Sequence, residues 1–124
     1  MNAIEEIRAD IPGFPGCEGE EECRASDEQV RSYVGERLAA LPVDQFSEAD
    51  KSLYEKVLFR CEFMNQEAFR IFDEDRNEDR INAVLQADAA LIAAAKALDP
   101  SAPSNGLEAI DEAFDRRDAA MLKK

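Results

Sequence analysis

The sequence predicts an all-α protein: an antiparallel bundle of four main amphipathic helices, with a short N-terminal helix and a long loop over residues 11–26. Long segments carry apolar residues at helical spacing and are bounded by capping residues and prolines. No segment alternates apolar and polar residues over the length of a strand. Residues 1–124 are expected to form a single domain, of which residues 1–26 could be a mobile or appended segment.

The first helix is expected over residues 3–10, where Ile4 and Ile7 share one side. Two prolines and two glycines within residues 12–16 then end it. The loop that follows is long for a small domain, and such loops are often functional.

The second helix is expected to begin after Ser26, with Gln29 at the capping-box position, and to run to about Leu41, before Pro42. The third begins after Ser47 and is expected to reach Phe72 or beyond.

The acidic stretch 73–79 is either a turn or a helix start capped by Asn77. The fourth helix is expected to run to about Leu98. The fifth covers about residues 107–121, with Asn105 as its cap.

The charge excludes several functions. The chain has 15 Lys+Arg, 28 Asp+Glu and no histidine, which gives a net charge of −13. Without histidine there is no Ser-His-Asp or Cys-His nucleophile and no histidine-based zinc or di-iron site. The negative charge disfavours nucleic acids and anionic membranes, whereas it attracts a basic protein partner. Nine acidic and two basic residues lie within residues 1–28.

The N-terminus is acidic and lacks the apolar core of a secretory signal, which favours a cytoplasmic protein with reduced cysteines. Cys17 and Cys23 are therefore expected to be free thiols in a loop. A disulfide, or a soft divalent metal held by both sulfurs, is an alternative. Cys61 lies on the apolar stripe of the third helix and is expected in the core.

Two charged residues interrupt apolar stripes. Asp88 lies at the centre of the stripe of the fourth helix, and Arg37 lies in that of the second. A buried unpaired carboxylate is costly, so we expect Arg37 and Asp88 to form an internal pair. The alternative is that each side chain reaches solvent at the edge of the core.

Phe59 and Phe63 lie opposite the main stripe of the third helix, with Arg70 as a neighbour. Either the first helix or the 11–26 loop covers these rings, or they form a patch for a partner or a weak homodimer. We take the patch as the candidate binding surface, together with the acidic residues Glu20, Glu21 and Glu22.

Asp73, Asp75 and Asn77 resemble the opening of a calcium-binding EF-hand loop. Glu78 stands where that loop needs glycine, and Val84 stands where it needs a bidentate glutamate. A solvated acidic turn is therefore the expected structure, and no metal or other cofactor is predicted.

The leading hypothesis is a non-enzymatic, acidic helical module that binds a basic protein, as adaptors, export chaperones and immunity-type inhibitors do. The alternative is a bundle that binds a small ligand or a metal and could be enzymatic. It would use Asp88 with Tyr33 or Tyr54, or the Cys17/Cys23 loop.

Overall fold

The computed structural model describes residues 2–122, which form helices and loops without any strand. The helices are α1 (Ala3–Asp10), α2 (Glu20–Ala39), α3 (Glu48–Glu62), α4 (Gln66–Glu74), α5 (Glu78–Lys96) and α6 (Pro103–Leu122), and a 3₁₀ turn covers Val43–Gln45. The all-α class is confirmed. Within this described range, no helix is both long enough and apolar enough to cross a membrane.

The core lies between the four long helices. α6 packs on α5, α3 and α4, while α2 packs on α3 and α5, and α1 packs on α5. Large side chains that are almost fully buried include Phe14, Phe69, Phe72, Leu38, Leu91, Leu107 and Ile110. Burial of each such side chain stabilises the folded state by about 1.5–3 kcal/mol. Phe14 lies in the loop after α1, and its burial anchors that loop to the core.

The second helix begins earlier than predicted. Gly19 is the N-cap of α2, and three glutamates occupy its first turn, where carboxylates stabilise the positive end of the helix. Ser26 is no cap: its buried hydroxyl donates to the Gly16 carbonyl at 2.5 Å and accepts from the Gly16 N–H at 3.1 Å. The predicted loop 11–26 is therefore wrong in its second half, which is helical.

The predicted third helix is two helices, α3 and α4. Phe63 adopts an extended backbone (φ −124°, ψ 126°), and the Asn65 side chain accepts a hydrogen bond from the Ala68 N–H at 3.0 Å. This cap begins α4 as a separate helix. The break was missed because neither proline nor glycine marks it.

Three predicted caps have different outcomes. Ser47 caps α3 and Asn77 caps α5, since each side chain accepts a hydrogen bond from the backbone N–H three residues later. The cap predicted at Asn105 is wrong, because α6 already begins at Pro103. Proline suits a first helical position, where its missing N–H costs no hydrogen bond.

Candidate docking surface

Phe59 and Phe63 are the main exposed apolar side chains in the described part of the chain. Phe59 is 63% exposed in the last turn of α3, and Phe63, just after that turn, is 58% exposed. Their ring centroids are 4.8 Å apart, with the planes tilted by 39°. The alternative in which α1 or the following loop covers these rings is therefore wrong.

A cavity of about 190 Å³ opens beside the two rings. Its apolar lining consists of Phe59, Phe63, Met64 and Phe114, and its polar lining consists of Arg31, Arg60, Asn65, Arg117 and Asp118. Met64 also borders a second cavity of about 440 Å³, on the side of α4 that carries Arg70. The ring pair and α4 therefore belong to one continuous surface, which we call the docking surface.

Arg70 lies on α4 rather than on the helix of the two rings, because the chain turns between them. Its exposed guanidinium pairs with Glu67 at 2.7 Å and with Glu74 at 2.8 Å. Exposed pairs of this kind contribute little to stability. Arg70 is therefore held only by exposed ion pairs on α4, on the far side of Met64.

The acidic end of α2 approaches the same surface through Arg24. This residue borders the second cavity, and its guanidinium lies 4.0 Å from Glu20 and 2.6 Å from Asp73. Glu21 is exposed, whereas Glu22 is half-buried and accepts a long hydrogen bond (3.4 Å) from the backbone of the preceding loop. Glu20 and Glu21 are thus the more accessible of the three predicted acidic residues.

One edge of α6 presents three aspartates beside the rings. Arg60 donates to Asp111 at 2.9 Å, to Asp115 at 2.8 Å and to Asp118 at 2.9 Å. Burial alone would lower the pKa of Arg60, but the hydrogen bonds to Asp111 and Asp115, together with the charges of Asp118 and Asp115, outweigh burial and raise this pKa. Asp111 also accepts from Lys56 at 2.9 Å. The edge therefore holds α3 against α6 and keeps a negative excess.

The predicted pair between Arg37 and Asp88 is wrong. Asp88 is buried, and its carboxylate accepts from Arg117 Nε at 2.5 Å. Arg37 is exposed and lies over the ring of Tyr33, with its guanidinium carbon 5.3 Å from the ring centroid. Arg37 therefore agrees with the alternative prediction, in which its side chain reaches solvent at the edge of the core.

Arg117 joins two buried carboxylates into a core triad. Its Nη1 lies 2.5 Å from Asp27 Oδ1, although this oxygen has no well-aligned hydrogen bond, and Asp27 also accepts from Arg31 at 2.8 Å. Burial raises the pKa of the Asp88 carboxyl to about 6, against the attraction of Arg117. The free-energy cost of desolvating the ionised Asp88 carboxylate is therefore larger than the stabilisation it gains from Arg117, which it shares with Asp27.

Arg117 could have been identified from the sequence. It lies on the same helical stripe as Ile110, Phe114 and Met121, which are all buried in α6. A charge at such a position signals an internal partner, as Asp88 does. The remaining residue of the triad, Asp27, was not identified from the sequence. The second helix was predicted to begin there, whereas α2 begins at Glu20 and Asp27 is buried within it.

The structure does not bring the predicted alternative site together. Tyr54 packs edge-on against Phe46 at 6.4 Å, and Tyr33 contacts Arg37, whereas Asp88 is held by Arg117. In the described part of the chain, the hydrogen-bond partner of the Asp88 side chain is therefore Arg117 and not Tyr33 or Tyr54.

Cys17 and Cys23 form a disulfide, with their Cα atoms 4.3 Å apart. The expectation of two free thiols is wrong, and the bond leaves no thiolates for the metal alternative. Both cysteines are buried, and Arg76 donates to Cys23 Sγ at 3.4 Å. Cys61 is a buried free thiol, as predicted for a core residue, and burial raises its pKa to about 12.

The acidic stretch around Asp73 is the junction of two helices. α4 ends at Glu74, and α5 begins after its cap at Asn77. Asp73 binds Arg24 and Arg76 rather than facing the other carboxylates. Across residues 2–122, no group of three or more cysteine, aspartate or glutamate side chains is placed to hold a metal ion.

Comparison of the chain with known proteins finds no matching family model, curated protein or solved structure. Function is therefore inferred from the geometry of the chain's own residues.

Proposed function

We propose that this protein is a non-enzymatic binding module that docks a basic protein partner on the docking surface. The exposed pair of Phe59 and Phe63 is the observation that carries the proposal. We infer that the four long helices, arranged as an antiparallel bundle, form the scaffold, because α2, α3, α5 and α6 account for most of the helix packing.

The two rings have the properties of an interface anchor. They contact each other with tilted planes, line a cavity and are more than half exposed. Water disfavours such a patch, so burial against a partner would be favourable. Aromatic side chains at the centre of an interface commonly supply most of its binding energy.

The charge of the chain favours a basic partner. The net charge is −13, and the α6 edge next to the rings carries more carboxylates than cations. Opposite charges around an apolar centre increase the rate of association and exclude acidic competitors. Glu20, Glu21 and the glutamates that flank Arg70 extend the acidic rim.

The test is affinity capture from a lysate of the source organism at low salt, followed by binding measurements with the purified captured protein. We expect Phe59→Ala with Phe63→Ala to weaken its binding by at least about 30-fold, which corresponds to a loss of about 2 kcal/mol. Leu122→Ala is the matched control, since Leu122 is the other exposed large apolar residue among residues 2–122 and is 41% exposed.

The electrostatic contribution to binding is tested separately, by the salt dependence of the binding rate constants. For a basic partner, added salt should lower the association rate constant much more than it raises the dissociation rate constant. The proposal is wrong if every captured protein binds the double variant as tightly as the wild type. It is also wrong if the captured partner is acidic and binds independently of salt.

A further inference from the structure

Two arginines reach the cavity beside the rings with donors left unused. Arg117 directs Nε to Asp88 and Nη1 to Asp27. Arg31 directs Nε to Asp27 and Nη1 to the carbonyl of Cys61. Within residues 2–122, neither Nη2 group has a hydrogen-bond partner.

These Nη2 groups are not sealed in the core. Among the described residues, the buried side-chain nitrogen and oxygen atoms without a partner are Asp27 Oδ1 and Arg80 Nε. Nη2 of Arg117 and Nη2 of Arg31 are therefore not fully enclosed, and both residues line the cavity. The exposed fraction is 4% for the Arg117 side chain and 14% for that of Arg31. Asn65, whose side-chain oxygen caps α4, lines the same space.

The ion pair of Arg60 and Asp118 also lines the cavity, the remaining lining residues are apolar, and the space is small. Phe59, Phe63, Met64 and Phe114 contribute the walls of a cavity of about 190 Å³. Sites for drug-sized ligands measure about 300–1,000 Å³. The cavity therefore admits one ring or one side chain, with a hydrogen-bond acceptor directed at the arginines.

The neighbouring carboxylates do not occupy these donors. Asp27 and Asp88 bind other nitrogens of the same arginines, and Asp118 binds Arg60. A planar carboxylate matches the geometry of guanidinium donors and forms charge-assisted hydrogen bonds. A dianionic phosphate would place more charge beside three aspartates.

We infer that this cavity binds a carboxylate attached to a compact apolar group, with Arg31 and Arg117 donating to the carboxylate and the phenylalanines enclosing the apolar part. The carboxylate belongs either to a free small acid or to the C-terminus of a chain that ends in an apolar residue. In the second case the inference rests on the proposed function and names the anchor of the partner.

The experiment titrates the full chain with phenylacetate, phenylacetamide and acetate, monitored by NMR chemical shifts. We expect phenylacetate to bind at least about tenfold more tightly than either other probe, because only phenylacetate combines the ring with the charge. Signals of Phe59, Phe63 and Asn65 should shift. Phe59→Ala and Arg31→Lys should each weaken binding severalfold, whereas Leu122→Ala should not.

The two sources are distinguished by a short peptide that ends in phenylalanine, with a free or an amidated C-terminus. A free-acid peptide that binds more tightly than phenylacetate, and that loses binding on amidation, identifies a chain terminus. Equal or weaker binding of that peptide identifies a small acid. Equal affinity for phenylacetate and phenylacetamide, or shifts remote from the rings, overturns the inference. The assay contains no protein partner, so its failure leaves the proposed function standing.

Discussion

Asp88 should make this protein less stable as the pH rises from about 5 to 7.5. Burial raises the pKa of its carboxyl from 3.8 to about 6 in the folded state. Between these two values the folded chain holds a proton that the unfolded chain has released. The free energy of unfolding therefore falls with increasing pH in this window, and the decrease ends above the folded pKa.

The magnitude follows from the pKa difference. A change from 3.8 to about 6 corresponds to about 3 kcal/mol in total, at 1.36 kcal/mol per pH unit. About half of this decrease, between 1 and 2 kcal/mol, falls between pH 5 and 7.5, because much of the proton release from the unfolded chain is already complete at pH 5. The chain has no histidine, so no imidazole titrates in the same window.

The assay is urea unfolding of the wild type and of Asp88→Asn at about pH 5, 6 and 7.5. Asparagine keeps an acceptor oxygen for Arg117 but cannot ionise, so the pH-dependent decrease should be absent in this variant. Asp44→Asn is the control, since Asp44 is exposed, and it should keep the wild-type decrease. An NMR titration of the Asp88 carboxyl should show a midpoint near 6. The reasoning is refuted if Asp88→Asn retains the full decrease, or if the carboxyl titrates near 4.

Three further predictions follow from the core, the disulfide and the rings. Arg117→Met should lower the free energy of unfolding in urea by about 3–5 kcal/mol, because it leaves the buried Asp88 unpaired and Asp27 with Arg31 alone; a loss below about 1 kcal/mol would contradict this role. Cys17→Ser with Cys23→Ser should cost about 2 kcal/mol, the entropy of a short closed loop, and a reductant should destabilise the wild type equally without affecting the variant. Sedimentation should show a weak dimer that strengthens from low to moderate salt, as screening reduces the repulsion between acidic copies. Phe59→Glu with Phe63→Glu should remain folded and monomeric, and a wild type that stays monomeric in both salts would exclude the dimer.

The candidate site was predictable only in part. Phe59 and Phe63 could be recognised because two rings one turn apart lay opposite the apolar stripe of α3. The neighbours of these rings could not be recognised from the sequence. Arg70 was predicted to lie beside them on one continuous helix, but that helix is interrupted between Glu62 and Gln66. The cavity depends on this break, because the turn brings Met64 and Asn65 beside the rings.

Local physical chemistry in the sequence determined the all-α class, α1 and the caps at Ser47 and Asn77. These features depend on residues within one or two helical turns, whose spacing can be read along the chain. The sequence also determined that Asp88 needs an internal partner. The free-energy cost of burying an unpaired carboxylate is the same whichever cation pairs with it.

The identity of that partner was decided by the tertiary structure. Arg37 and Arg117 both interrupt apolar stripes, but α6 packs closely on α5, and this packing brings Arg117 to Asp88. The tertiary structure also decided the disulfide. The path of the loop before α2 places the Cα atoms of Cys17 and Cys23 4.3 Å apart, which the sequence spacing alone did not predict. Contacts between residues far apart in the chain depend on how helices pack, and helical periodicity does not encode that arrangement.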